Sequence, residues 1–199
     1  MDLHAQRLED AIERMLAEEV AVLDGWLPEP MLLALRARVE ALEAAGSLAP
    51  AGIGRGGAHA LHSEVRSDLT SWWPELPELP AERDYLLHIR ALASAINRIC
   101  FAGIQSEELL YASYPAGAFY KRHLDRFRSD SARKISVITY LNRDWNAEAD
   151  GGAFVAHSGS TPLHVAPEWG RTVFFRSDVL EHEVLPARRT RRSVTGWLR

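Results

Sequence analysis

Glu107-Glu108-Leu109-Leu110-Tyr111-Ala112-Ser113-Tyr114, then Pro115-Ala116-Gly117, then Ala118-Phe119-Tyr120-Lys121-Arg122-His123-Leu124-Asp125, is the stretch where the chain changes its periodicity. Before Gly103 the apolar residues recur at helical spacing. After it they fall into short runs at 107–114, 118–125, 134–142, 152–157, 171–176, 181–185 and 190–198. Pro115-Ala116-Gly117, Asp150-Gly151-Gly152 and Ser158-Gly159-Ser160 lie between them. Short runs broken by turn chemistry read as strands, and many in succession predict a sandwich or jelly roll.

Upstream, Leu8, Ile12, Leu16 and Val20 line one face of a predicted helix over residues 5–22. Pro28 and Pro30 follow, then a second helix with Leu32, Leu35, Val39 and Leu42 in phase and Gly46 as its stop. A third is predicted over 81–103, with Leu86, Ile89, Leu92 and Ile96 along one side and Glu82 and Asp84 in its early turns. Helices first and strands second predict an α+β fold. We read one domain, 1–199, with helical support mainly in 1–103 and the jelly-roll core mainly in 104–199. Gly52, Gly54, Gly56 and Gly57 mark a mobile loop that would suit a flap over a site, and Pro-Glu-Leu-Pro near residues 74–80 marks another loop.

Composition narrows the function. In 199 residues, 47% are hydrophobic and 25% charged, which suits a globular core and excludes general disorder. The net charge of -4 counts against a nucleic-acid partner. The single cysteine, Cys100, excludes an intrachain disulfide framework and a cysteine zinc cluster. Met1-Asp2-Leu3-His4 lacks the apolar stretch of a signal peptide, and no apolar run approaches the ~18 residues of a membrane span. A cytoplasmic protein without a membrane partner is the expectation.

The chemistry concentrates at His123-Leu124-Asp125. On a strand, residues two apart share a face, so an imidazole and a carboxylate sit side by side. His182 in Leu180-Glu181-His182-Glu183-Val184 is a candidate third ligand, and two imidazoles with one carboxylate suit an open ferrous site. His157, His164, His59, His62 and His88 compete, and spacing alone does not choose among them. On the final run Arg191, Ser193, Thr195 and Trp197 are in phase. Arg191 can therefore reach the metal strand and pair with a carboxylate, while Arg192 points outward. A solvated basic run is the plain alternative for these arginines.

Taken together, Tyr114-Pro115, Tyr120-x-Arg122-His123-x-Asp125, Tyr140-Leu141-Asn142-x-Asp144-Trp145, Gly151-Gly152, Phe174-Phe175-x-Ser177-Asp178, His182-Glu183-Val184-x-Pro186, Arg191 and Trp197 resemble the Fe(II)/2-oxoglutarate dioxygenases. The resemblance is strongest to the oxygen-sensing prolyl hydroxylase branch and its bacterial relatives. Asp24-Gly25-Trp26-Leu27, Val65-Arg66-x-Asp68 and Trp72-Trp73 are similar to that branch's N-terminal elements. It implies a double-stranded β-helix, or jelly roll, with supporting helices. It implies that His123, Asp125 and His182 bind iron, and that Arg191 and Tyr140 hold the distal carboxylate of 2-oxoglutarate, with Tyr114 and Thr195 nearby. Arg66 and Asp68 match the edge of a lid over 50–66 beside the substrate, and Trp197 falls near the iron.

Dioxygen as second co-substrate, ascorbate as reductant, and a protein or peptide substrate with a target proline complete the implied activity, which releases succinate and CO2. Hydroxylation of a free amino acid or other small molecule keeps the chemistry and changes the substrate. A non-enzymatic metal-binding sensor or interaction module keeps only the ligands. A nucleobase demethylase rests on the C-terminal arginines alone. The chain stops at Arg199 without the C-terminal helix of some relatives, which leaves its substrate-docking mode open.

Overall fold

The computed structural model describes residues 3–52, 64–125 and 132–199. Its elements run α1 (Leu3–Glu18), β1 (Val20–Leu23), α2 (Glu29–Ala44), β2 (Ala49–Pro50), β3 (Leu69–Trp72), α3 (Pro80–Cys100), β4 (Glu107–Tyr114), β5 (Tyr120–His123), β6 (Ile135–Tyr140), the short turn α4 (Ala147–Asp150), β7 (Phe154–Ala156), β8 (Leu163–Val165), β9 (Thr172–Arg176), β10 (His182–Val184) and β11 (Arg191–Leu198). Two antiparallel sheets form the sandwich. The larger has the order β1-β9-β6-β11-β4-β3-β2 and the smaller β5-β10-β7-β8. This is the jelly-roll arrangement, with helices on one side.

Alternation along the strands sorts the core into layers. Leu109, Tyr111, Val137, Phe174 and Val194 face the helices and pack with Ile12, Leu35, Ile89 and Ile96. The opposite phase of the same strands faces the smaller sheet, where Ile138, Val173 and Phe175 meet Phe154 and Ala156. Buried polar pairs tie the helical layer down. Tyr85 donates to Thr139 at 3.0 Å, and Tyr111 donates to Glu82 at 2.9 Å.

The first helix is shorter than the sequence predicts. It stops at Glu18, Glu19 adopts a φ of 68°, and Val20 opens β1 against Phe175 of β9. Pairing with β9 outweighs a helical apolar spacing that continued through Val20. Leu16 is half exposed, and Ala11, Ile12 and Met15 carry the buried face instead. The third helix ends at Cys100, capped by Phe101 in the left-handed region, three residues before Gly103. The first half also supplies β1, β2 and β3 to the large sheet. Residues 53–63, most of the expected flap, lie outside the described residues, and so do His59 and His62. Among the described residues, no helix is long and apolar enough to cross a membrane.

Candidate active site

The last residue of β5, His123, pairs directly across the small sheet with the first residue of β10, His182. Their ring centroids lie 4.3 Å apart. Asp125, two residues beyond His123, places Oδ1 3.4 Å from His123 Nε2 and Oδ2 3.7 Å from His182 Nε2. One ligand atom from each of the three lies within 4.8 Å of the others. The competing histidines are elsewhere: His88 bonds the Asp84 carbonyl on α3, His157 pairs with Glu183, and His164 is exposed on β8.

The surroundings suit metal coordination. His123 Nδ1 lies 2.6 Å from the Lys121 carbonyl and His182 Nδ1 3.1 Å from that of Leu180. A carbonyl only accepts, so each ring carries its proton on Nδ1 and turns the Nε2 lone pair toward Asp125. His123 Nε2 is buried without a hydrogen-bond partner. Burial lowers the His182 pKa to about 4, with Asp125 opposing the shift, so the ring is a neutral donor near pH 7. Burial alone would raise the Asp125 pKa, but His182, His123 and the Ser136 hydroxyl together hold it well below the usual carboxylate range. Ser136 donates to Oδ2 at 2.6 Å and contacts Ser177 at 2.8 Å. Tyr120 stacks on His123 at 3.4 Å between centroids, and Phe154 and Phe175 pack on His182.

The opposite wall belongs to the large sheet. Register places Tyr114 opposite Arg191 and Tyr140 opposite Ser193, and sets Thr195 between Leu110 and Ile138. Arg191 is 1% exposed, with its guanidinium carbon 5.0 Å from the Tyr114 ring and 4.8 Å from the Tyr140 ring. Its Nε and Nη2 and the Tyr140 hydroxyl are buried without hydrogen-bond partners. Among the described residues no carboxylate pairs with it. A buried guanidinium without an anion is costly, so this wall fits a ligand that brings one. Burial raises the Tyr140 and Tyr114 pKa values, so both phenols remain donors.

The same cavity is lined by Arg66, Asp68, Tyr120 and Trp197. Arg66 forms a two-point pair with Asp68 at 2.8 and 2.6 Å and lies 4.2 Å over the Tyr120 ring. Trp197 sits between Arg133, 3.6 Å over its ring, and the exposed Trp72, 5.8 Å away. Nine of the ten residues singled out from the sequence line this cavity, and the tenth, Tyr140, lies beside it with its ring 4.8 Å from the Arg191 guanidinium carbon. Ser136 and Tyr120 were missed as site residues. Ser136 carried one usable signal, a small polar residue in phase with Ile138 and Tyr140 on the cavity side of the strand.

Two imidazoles and a carboxylate on one strand pair, facing an unpaired buried cation inside a jelly roll, define a class: mononuclear iron oxygenases with an anionic co-substrate. The chain belongs to the 2OG-Fe(II) oxygenase superfamily, whose family model matches residues 109–199, and within it the chain is prolyl hydroxylase-like. It is 35% identical to a solved prolyl-4-hydroxylase of Pseudomonas putida, over 96% of this chain and 98% of that one, with a TM-score of 0.85. Human prolyl hydroxylase EGLN3 is 28% identical across 99% of this chain and 85% of that protein. Rat Egl nine homolog 1 is 38% identical over 92 residues, and this match spans only 27% of that protein. Fe(II) and 2-oxoglutarate are the metal and co-substrate expected for the superfamily.

Proposed function

We propose that this chain hydroxylates a prolyl residue in a protein or peptide, consuming 2-oxoglutarate and dioxygen and releasing succinate and carbon dioxide. The observation that carries the reading is the unpaired Arg191 guanidinium facing the same cavity as His123, Asp125 and His182. A metal-binding module alone has no use for that buried cation. The prolyl target follows the names of the relatives at 35% and 28% identity.

In this reading His123, Asp125 and His182 hold Fe(II) on one face and leave the other open. Bound iron supplies the activation of dioxygen coupled to decarboxylation of the co-substrate. Arg191 pairs with the distal carboxylate, the Tyr140 hydroxyl donates to it, and Tyr114 and Thr195 flank the co-substrate. Phe154 and Phe175 behind His182 keep water from that ligand. Arg66, Asp68 and Trp197 face the substrate, with the Arg66–Asp68 pair fixing the wall beside Tyr120.

The test has two stages. Anaerobic Fe(II) and 2-oxoglutarate should give a charge-transfer absorbance band that His182→Ala abolishes and Arg191→Ala weakens. Aerobic incubation with proline-containing peptides should then yield succinate and a one-oxygen mass gain on proline. Turnover of free amino acids with no peptide product would move the assignment to small-molecule hydroxylation. Absence of the band with iron bound would leave a metal-binding module.

A further inference from the structure

The Arg191-Arg192 doublet presents two adjacent guanidiniums on opposite faces of β11, and only Arg191 lies in the cavity. Among the described residues Arg191 has no carboxylate partner there, and its Nε and Nη2 make no hydrogen bond. In the ligand-free protein its charge gains by leaving for solvent, so something else must hold the start of the strand in place. The regular ladder between β6 and β11 ends at the pair Ser193 and Tyr140. Beyond it Arg192 and Arg191 keep strand partners on the β4 side, Ser113 and Tyr114.

One side chain continues the missing edge. Arg192 N–H donates to Asn142 Oδ1 at 2.7 Å, and Asn142 Nδ2 donates back to the Arg192 carbonyl at 3.1 Å. The same Nδ2 reaches the Pro167 carbonyl at 2.9 Å, and Leu141 N–H adds a second donor to the Arg192 carbonyl at 3.0 Å. A carboxamide carries the donor and acceptor of a peptide group, so Asn142 serves as one more residue of strand after β6 has stopped. It is 2% exposed, where water does not compete for these bonds. On the helix side Glu43 of α2 accepts from Arg192 Nε at 2.9 Å and Nη2 at 2.6 Å, and from Ser113 Oγ at 2.6 Å. Arg192 is thus held by its backbone and by its guanidinium, and Ser113, its neighbour across the ladder, is held by the same carboxylate.

We propose that Asn142 and Glu43 are positioning residues that lock Arg192 outward and so keep Arg191 in the cavity before 2-oxoglutarate arrives. The inference rests on the reading of Arg191 as the co-substrate anchor. Neither residue touches the co-substrate. Their contribution is preorganisation, since a guanidinium already in place need not be ordered on binding. It is confined to ligands that use Arg191.

The test measures binding to the Fe(II) protein without oxygen, by titrating the charge-transfer band. Two keto acids are compared: 2-oxoglutarate, and 2-oxobutyrate, which lacks the distal carboxylate. Glu43→Gln and Asn142→Ala should each raise the 2-oxoglutarate Kd about five- to tenfold, the size of one lost hydrogen bond of this kind. The 2-oxobutyrate Kd and the iron affinity should stay at the wild-type values. In an Arg191→Met background neither change should have further effect on either ligand. Tyr85→Phe removes a different buried hydrogen bond on the helix side of the sheet and controls for general loosening. The proposal is overturned if both keto acids weaken together, if the effect survives in the Arg191→Met background, or if Tyr85→Phe does as much. Should Asn142→Ala fail to fold, Glu43→Gln decides, because it keeps the side-chain shape while removing the charge and one of the two acceptor oxygens that hold Arg192. If wild-type protein with iron bound takes up no 2-oxoglutarate, the functional reading fails and this inference with it. Normal wild-type binding with no effect of the variants defeats the positioning role alone.

Discussion

Replacing Arg191 by Met should make the ligand-free protein slightly more stable while sharply weakening its affinity for 2-oxoglutarate. Arg191 is 1% exposed, and its Nε and Nη2 have no partners. Exchanging buried ionic groups for well-packed apolar ones of similar volume stabilises a protein by about 1–4 kcal/mol. Against this stand the lost contacts with the Tyr114 and Tyr140 rings, each worth about 0.5–1 kcal/mol at exposed sites and more where water is excluded. At mid-range, about 2.5 kcal/mol gained against about 1.5–2 lost leaves about 0.5–1 kcal/mol in favour of Met. For a chain of this size that corresponds to roughly 1–4 °C in Tm. The assay is thermal unfolding of metal-free protein by circular dichroism, without and then with Fe(II) and 2-oxoglutarate under nitrogen. Wild type should melt below Arg191→Met without ligand and rise with 2-oxoglutarate as ligand binding dictates, whereas the variant should rise far less at the same keto-acid concentration. An Arg191→Met protein that melts several degrees below wild type in the ligand-free state would show that the guanidinium is already compensated, and the anchor reasoning would fail.

Two further outcomes follow from the same geometry. A Cβ on Gly196, in the middle of β11, would overlap the Leu109 side chain and sit 2.6 Å from the Glu108 carbonyl oxygen. Gly196→Ala should therefore cost about 1–3 kcal/mol in urea unfolding, because the backbone of β4 must move. The pH dependence of the metal-free protein should carry the signature of His182, whose folded pKa of about 4 lies below the 6.5 of an ordinary histidine. Below that value the unfolded chain binds a proton that the folded ring refuses. This contribution is complete above pH 6.5 and shrinks as pH falls toward about 4, at up to ~1.4 kcal/mol per pH unit. His182→Gln should flatten that slope in denaturant titrations at successive pH values.

The parts of the site that could be read from the sequence depend on local periodicity. His123 and Asp125 are two residues apart, and Arg191, Thr195 and Trp197 share a strand phase, so the alternation of a strand suffices to group them. Choosing His182 over His157 or His164 needed the resemblance, because cross-strand pairing with His123 is a long-range fact. Ser136 shows the same limit: its hydroxyl matters because it lies against Asp125 of a different segment. The helix expected to run through Val20 failed for a related reason. Its apolar spacing is shared by a helix and a short buried strand, and the competing term, pairing with β9, comes from residues about 150 positions away. Likewise Leu69–Trp72 joins the large sheet beside β4, with no turn signal adjacent to its partner to announce it.

The site is divided between the two layers of the sandwich: His123 and His182 sit on the small sheet, Arg191 and Tyr140 on the large one. A co-substrate gripped at both ends is therefore a strut between layers that otherwise meet through apolar side chains. Loading the site would brace the sandwich from within. Slowed amide exchange should then appear on β10 and β11, strands that belong to different sheets and share no hydrogen bond. The spacing of the two layers becomes a setting of the enzyme. A core substitution at Phe154 or Phe175 that changes the gap between the sheets would alter how well one dicarboxylate length is preferred over another, with no change to any residue that holds it.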